Sequence, residues 1–420
     1  MSPQVAAQAF KGWVIRRRKM KRIKTSVFII FLATLLPLYD STAEQSEPAD
    51  EAPAAFDGLS NGYVEPSAHA IDRLIFEERE TKPEGLGPTY NAQSCAECHQ
   101  NPLTGGSSQV SVLRAGRVDS FGNFIEPPGG SLIHDRAIDP AAQERVHKDL
   151  NVRTLRVSLS LLGAGFVEAI DDSTLEAVAA SQPAGLRGEL IQVPVLESPG
   201  ATRAGRFGWK AQHASLLSFS ADAYLNEMGI TNRLFPEENT SMGQSVAAFD
   251  TVADPEDVDN EIEAFARFIR ATKVPPRDQS RAATPDSQAG SELFDRIGCN
   301  VCHVRSITTA PAGTVINGGA FVVPPALGNK IIRPYGDYLL HDVGTGDGIV
   351  QNGPVSTRNK MRTAPLWGLR TRSRYMHDGA SLTVEEAILR HGGQAASVTE
   401  KFRSLSRKKK NRLLAFLDSL

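Results

Sequence analysis

The sequence predicts a mainly α architecture of two lobes with extensive irregular loops, and three observations carry that prediction. A five-residue motif occurs twice, as Cys95-Ala96-Glu97-Cys98-His99 and as Cys299-Asn300-Val301-Cys302-His303, roughly one half-chain apart. Helical periodicity surrounds the later copy: Leu293, Phe294 and Ile297 share one face just before it, and residues 412–420 carry apolar side chains at i, i+4 and i+7. Strand signals are sparse and short, while glycine and proline crowd the stretch between Cys302 and Met361.

The elements follow in order. The basic run from Arg16 to Lys24 precedes a short apolar core from Val27 to Leu38, and Ser41-Thr42-Ala43 supplies small residues for cleavage. Residues 1–43 therefore read as a signal peptide, and a periplasmic destination is expected. The apolar core is shorter than the ~20 residues of a spanning helix, so no stable membrane span is expected in the mature chain. Met20 begins a compact signal by itself. Residues 44–66 are acidic and rich in Pro and Ala, and read as a flexible leader. A first lobe is expected over 68–272, a linker with Pro275, Pro276 and Pro285 over 273–287, and a second lobe over 288–420.

Composition is that of a globular protein, 41% hydrophobic and 22% charged. Without residues 1–43 the chain carries 38 bases and 47 acids, a formal charge of -9. An acidic body has no attraction for phosphate backbones, which argues against nucleic acid as a partner.

All four cysteines lie in the two motifs. Two thiols separated by two residues can add to the vinyl groups of one haem, and the next histidine then lies beneath the iron. A four-cysteine zinc site would leave both histidines unexplained. A thioredoxin-like pair is usually single and sits in a βαβ setting. The reading is two covalently bound c-type haems, one in each cytochrome c-like lobe, attached at Cys95, Cys98, Cys299 and Cys302, with His99 and His303 as iron ligands. Attachment of this kind occurs outside the cytoplasm, in agreement with the signal peptide.

There is also a faint internal repeat. Residues 153–179 align with 362–388, which places Glu168 opposite His377 and Gln182 opposite His391. Two related lobes are what this suggests.

Four blocks in order along the chain carry a family resemblance. They are Gly85-Leu86-Gly87-Pro88-Thr89-Tyr90-Asn91 leading to His99; Gly205-Arg206-Phe207-Gly208-Trp209-Lys210-Ala211 with Met228-Gly229-Ile230-Thr231; Arg362-Thr363-Ala364-Pro365-Leu366-Trp367-Gly368-Leu369; and His377-Asp378-Gly379 leading to His391-Gly392-Gly393. The chain resembles exported di-haem oxidoreductases labelled as peroxidases or thiol oxidoreductases. These are related to bacterial di-haem cytochrome c peroxidases and to the enzyme that oxidises tryptophans on a partner protein. The resemblance implies that the second haem is held between His303 and His391, the latter standing where the peroxidases place a methionine, and that His377 is a structural or inter-haem residue. The peroxidases' distal histidine has no counterpart at the same spacing here; the next histidines after His99 are His134, His147 and His213, and whether any of them approaches the first iron stays open. Glu168 stands where they place an inter-haem tryptophan, so Trp367 or Trp209 would be the relay. Asn151 matches one ligand of their calcium site, but Arg372 and Arg374 replace the Thr and Pro of its loop, which leaves calcium weakly supported.

The resemblance implies an enzyme in which one haem reacts with peroxide and the other relays electrons from a redox partner protein or a small donor. Glu168, His377 and Trp367 are its candidate catalytic residues, with Glu168 moving the proton. Two other readings stay open: an electron-transfer cytochrome without turnover, and a haem oxidant of a protein or organic substrate. The thiol label finds no cysteine to act on.

Overall fold

Among the described residues five helices of more than ten residues set the frame, and four of them have a local reason to start or stop where they do. Pro66–Glu77 begins on a proline, whose missing N–H costs nothing there. Leu216–Met228 is capped by Ser215, whose hydroxyl accepts from the Ser218 amide, and it stops at Gly229 in the left-handed region. Glu261–Ala271 carries Glu261 and Glu263 in its first turn and Arg270 in its last, the arrangement a helix dipole favours. Pro285–Ile297 is capped by Thr284 and ends at Gly298, φ 102°, immediately before the second motif. Arg407–Leu417 closes the chain. The described residues of this computed structural model are 48–420. The proposed signal peptide lies outside them.

Glu261–Ala271 packs against both Pro66–Glu77 and Leu216–Met228, and Pro285–Ile297 packs along Arg407–Leu417. The latter pair approach closely because Gly290 has no side chain: a Cβ there would sit 1.9 Å from the Arg412 carbonyl oxygen. Two apolar cores result. The larger holds Phe76, Phe166, Leu216, Phe265 and Phe268, and it also takes in Ile307, Val323, Leu327 and Ile332 from beyond the second motif. The smaller holds Phe294, Ile297, Tyr335, Phe402, Leu413 and Phe416. The fold is two-lobed in this sense, with the 307–332 segment lent by the second half to the first core.

The expectation of a mainly α chain is corrected to a mixed α/β fold. An antiparallel pair, Ser111–Val118 with Val152–Val157 in the register Leu113↔Leu155, is extended by Phe124–Ile125 and Leu132–Ile133. Short two- and three-stranded ladders fill the remaining loops. The alternation that would announce these strands is broken by Arg114 and Arg156, which line a cavity. The flexible leader is corrected as well over its described part. Asp50–Glu51 pairs in parallel with Lys330 and Ile331. Lys330 Nζ lies 2.8 Å from an Asp50 carboxylate oxygen, and Arg333 pairs with Glu51. The acids that made this stretch look solvated are the ones that fasten it. Within the expected linker, Gln279–Ala282 forms a short helix capped by Asp278. Among the described residues no helix is long and apolar enough to cross a membrane.

Candidate functional site: two cavities with a shared wall

The first motif forms a single helical turn, Cys95–Cys98, capped by the Ser94 hydroxyl. One turn carries Cys95, Cys98 and His99 to the wall of a cavity with about 1180 Å³ of atom-free space, part of it open to solvent. His99 Nδ1 lies 3.1 Å from the Gly106 carbonyl oxygen, which fixes the ring. Burial holds the imidazole pKa down, so the ring stays neutral. No other histidine lines this cavity. Its polar wall includes Arg114, Arg156, Gln212, Asp222, Asn226 and Glu227, with Met228 beside them. Burial alone would raise Asp222, but the charge and hydrogen bond of His213 hold it low, with its carboxylate 3.1 Å from the imidazole. Glu227 is raised by burial and accepts one hydrogen bond, 3.1 Å from Asn91 Nδ2.

The second motif follows Gly298 as a short 3₁₀ turn, Cys299–Val301. Its cavity has about 1740 Å³ of atom-free space and is lined by Cys299, Cys302, His303, His341, His377 and His391 among others. The His303 and His391 rings stand 6.5 Å apart between centroids. Each gives its Nδ1 to a backbone carbonyl, His303 to Tyr335 at 3.0 Å and His391 to Ala387 at 2.7 Å. Both Nε2 atoms are thereby left without a backbone partner. Burial lowers both imidazoles, His303 to about 4. Two neutral rings at that separation leave room for one metal ion at the ~2 Å that imidazole nitrogen prefers on each side. The cavity also holds Arg362, buried, and Arg372, both lowered to about 10 by burial and neither with a carboxylate within ion-pair distance among the described residues. Thiol pair, facing imidazoles and uncompensated guanidiniums suit a haem, whose own carboxylates would meet the arginines. The first cavity matches in thiols and proximal imidazole.

Val157, Ser158, Leu159 and Trp209 line both cavities. Trp209 Nε1 donates to the Val157 carbonyl oxygen at 2.8 Å, and its ring meets His377 edge-on at 6.1 Å. The neighbouring Lys210 locks this wall. Its buried Nζ donates to the carbonyls of Thr357, Arg358 and Lys360 at 2.7, 3.1 and 2.6 Å, and lies 3.4 Å from Asp347. Asp347 also binds Arg156, at 2.6 Å.

The other candidates lie elsewhere. Glu168 lines neither cavity. It is fully buried and paired with Arg270 at 2.6 and 2.9 Å, and it accepts from the Leu216 amide and Asn317 Nδ2. Burial would raise its carboxyl, but Arg270 overrides that and holds it low, as a structural anion. Trp367 is packed in the larger core and lines neither cavity. Asn151 spends both amide atoms on the Val118 backbone, at 2.8 and 3.0 Å. Gln182, opposite His391 in the repeat, donates to Asp337 at 2.7 Å and to the Val301 carbonyl at 2.9 Å, bracing the second motif. Sequence reasoning missed His341, which lies 2.8 Å from Asp337 and 3.7 Å from Cys302 Sγ. It also passed over Glu227. Neither carries a local sequence signal.

Two thiol-pair cavities share one tryptophan-bearing wall, an arrangement with room for two redox groups side by side. The chain belongs to a particular family: the model described as "Di-haem oxidoreductase, putative peroxidase" matches residues 135–420. Among solved structures the chain is similar to hydrazine synthase from Kuenenia stuttgartiensis pressurised with xenon, at 15% identity and TM-score 0.39, covering 96% of this chain and 100% of that one. It is similar to a MauG-like protein associated with microbial copper homeostasis, at 16% identity and TM-score 0.40, covering 90% and 94%. It is also similar to the di-haem peroxidase BthA from Burkholderia thailandensis E264, at 14% identity and TM-score 0.41, covering 89% and 94%. No curated protein matches the chain.

Proposed function

We propose that the chain is an exported, periplasmic di-haem enzyme of the peroxidase type, in which the first centre meets peroxide and the second relays electrons to it. Cys95, Cys98 and His99 would hold one haem, and Cys299, Cys302, His303 and His391 the other, with Arg362 and Arg372 toward the second haem's carboxylates. The bound haems supply the redox chemistry. The chain's residues supply position, electrostatics and proton transfer.

One observation carries the reading: a second histidine faces His303, and none faces His99. A centre held on one side only keeps a position for substrate, whereas a centre held on both sides is suited to passing electrons. At the first centre the two carboxyls have opposed environments, Asp222 held ionised and Glu227 held high. Such a split is how a site obtains a proton carrier beside a fixed charge. Glu227 would take the proton from peroxide at its carboxylate and return it to the departing oxygen, releasing water. Trp209, the one aromatic ring on the shared wall, takes the relay role in place of Trp367. His377 packs against it and positions it.

The test is the spin state of the half-reduced protein by electron paramagnetic resonance. A high-spin first centre that changes on adding peroxide is expected. Two low-spin centres, unchanged by peroxide, would favour a carrier without turnover. That second reading has its own support in Met228, which lines the first cavity and carries a thioether of the kind that ligates haem iron.

Mass spectrometry of the denatured, exported chain should show the polypeptide plus two haem masses, with its N-terminus near Ala43. Loss of the haem on denaturation, or zinc in its place, would remove the basis for the whole reading.

A further inference from the structure

The last 25 residues, 396–420, are out of character with the rest of the chain. They hold seven Lys/Arg against Glu400 and Asp418, in a body whose formal charge without residues 1–43 is -9. Lys401, Arg403, Arg407, Lys408 and Lys409 are exposed. The fold places the densest part of this charge badly for itself. Arg407, Lys408, Lys409 and Lys410 fill the first turn of Arg407–Leu417, at the positive end of the helix dipole, with no side-chain cap from Ser406. Among the described residues no carboxylate comes within 4 Å of Arg407, Lys408 or Lys409. Arg403 has only a loose contact with Glu400, 3.8 Å away. Arg412, one turn further in, is paired with Asp286 at 3.0 Å.

The inner sides of the same two helices face the second centre. Val398 and Thr399 from Ala396–Ser404, and Leu413 and Leu417 from Arg407–Leu417, line its cavity. Thr399 Oγ1 donates to the His391 carbonyl oxygen at 2.7 Å. The basic face is therefore the outside of the wall whose inside encloses His391. A cost to local helix stability, left uncompensated within the fold and set over a redox cavity, is what a charged docking surface requires.

We propose that Arg403, Arg407, Lys408 and Lys409 form the docking surface for an acidic one-electron carrier protein that reduces the second haem. The proposal rests on the reading of the second centre as the relay. The remainder of the molecule is net acidic and repels such a carrier overall, so the patch orients it as well as attracting it.

The experiment uses the full exported holoprotein and follows reduction of the second haem by stopped flow at low salt. The donors are a reduced plant-type ferredoxin, which is acidic, a basic mitochondrial-type cytochrome c, and a neutral reduced phenazine. In the triple variant R407E/K408E/K409E the ferredoxin rate should fall by about tenfold or more. The phenazine rate should be unchanged, and added salt should abolish the difference. A neutral triple variant, R407Q/K408Q/K409Q, should fall between. An unchanged ferredoxin rate in both variants, or a wild-type chain reduced faster by the basic cytochrome, overturns the proposal. So does loss of binding to phosphatidylglycerol vesicles with ferredoxin rates unaltered, which would make the patch a lipid contact. Failure of the phenazine to reduce the second haem in any chain would instead bring down the relay reading, and the proposal with it.

Discussion

Glu227→Gln is expected to slow peroxide reduction by about 10²–10⁴-fold, the usual scale for losing a general acid–base group. The measurement is the single-turnover reaction of the half-reduced protein with peroxide, with both haems still attached. Glutamine keeps the shape and the hydrogen bond with Asn91 but carries no proton to give. Glu168→Gln should do something different. It leaves the buried Arg270 guanidinium without its counter-ion, a change worth about 3–5 kcal/mol of stability in buried pairs. Turnover per folded chain should be retained. The pH dependence has a definite sign. The folded-state pKa of Glu168 lies below its ordinary 4.5, so its stabilising contribution is complete above that value and is lost as pH falls through the folded pKa. Wild type and Glu168→Gln should therefore converge in urea midpoint only on acidification below about pH 4.5. A Glu168→Gln chain of undiminished stability and crippled turnover would return the proton to Glu168.

His391→Met should raise the reduction potential of one haem and leave the other nearly unchanged. Thioether ligation favours the ferrous iron, and axial ligands move haem potentials across a range of about 0.8 V. The affected haem should be the second, because only there does an imidazole face the motif histidine. Spectroelectrochemical titration of wild type and variant would show one wave displaced upward. Two unmoved waves would mean that His391 is held by Ala387 and Thr399 for packing alone. His391→Ala is the harsher companion, expected to turn the second centre high-spin.

The proposed attachment residues stood out because covalent chemistry imposes a fixed spacing, and both thiol pairs lie on cavity walls. His391 was legible only through the family resemblance, since a histidine at a helix end has an ordinary explanation. The sheet was illegible because its inner face meets a cavity. Val110, Val112 and Arg114 share that face, and a guanidinium in the series breaks the apolar alternation. Glu168 misled because the repeat compares sequence with sequence. Its true partner, Arg270, lies 102 residues further on, and no alignment of 153–179 with 362–388 contains it. Between Trp209 and Trp367 the sequence offered no discrimination, as aromatic rings serve packing and redox walls alike. Lys210 explains part of the difference: its ammonium gathers three loop carbonyls beside Trp209, and Trp367 has no such anchor.

The pairing of Asp50–Glu51 with Lys330–Ile331 sets an order of events for a chain made from its N-terminus. The earliest segment to emerge has its partner 280 residues behind it. A contact of such sequence separation forms late, after shorter loops have closed. The first thiol pair, at Cys95 and Cys98, is thus in place well before the strand that completes the three-stranded ladder can be laid down. Until then the outer edge of Lys330–Ile332 is bare backbone, open to pairing with a neighbouring chain. The acids at 50 and 51 act as a latch, drawn by Lys330 and Arg333, that shuts this edge.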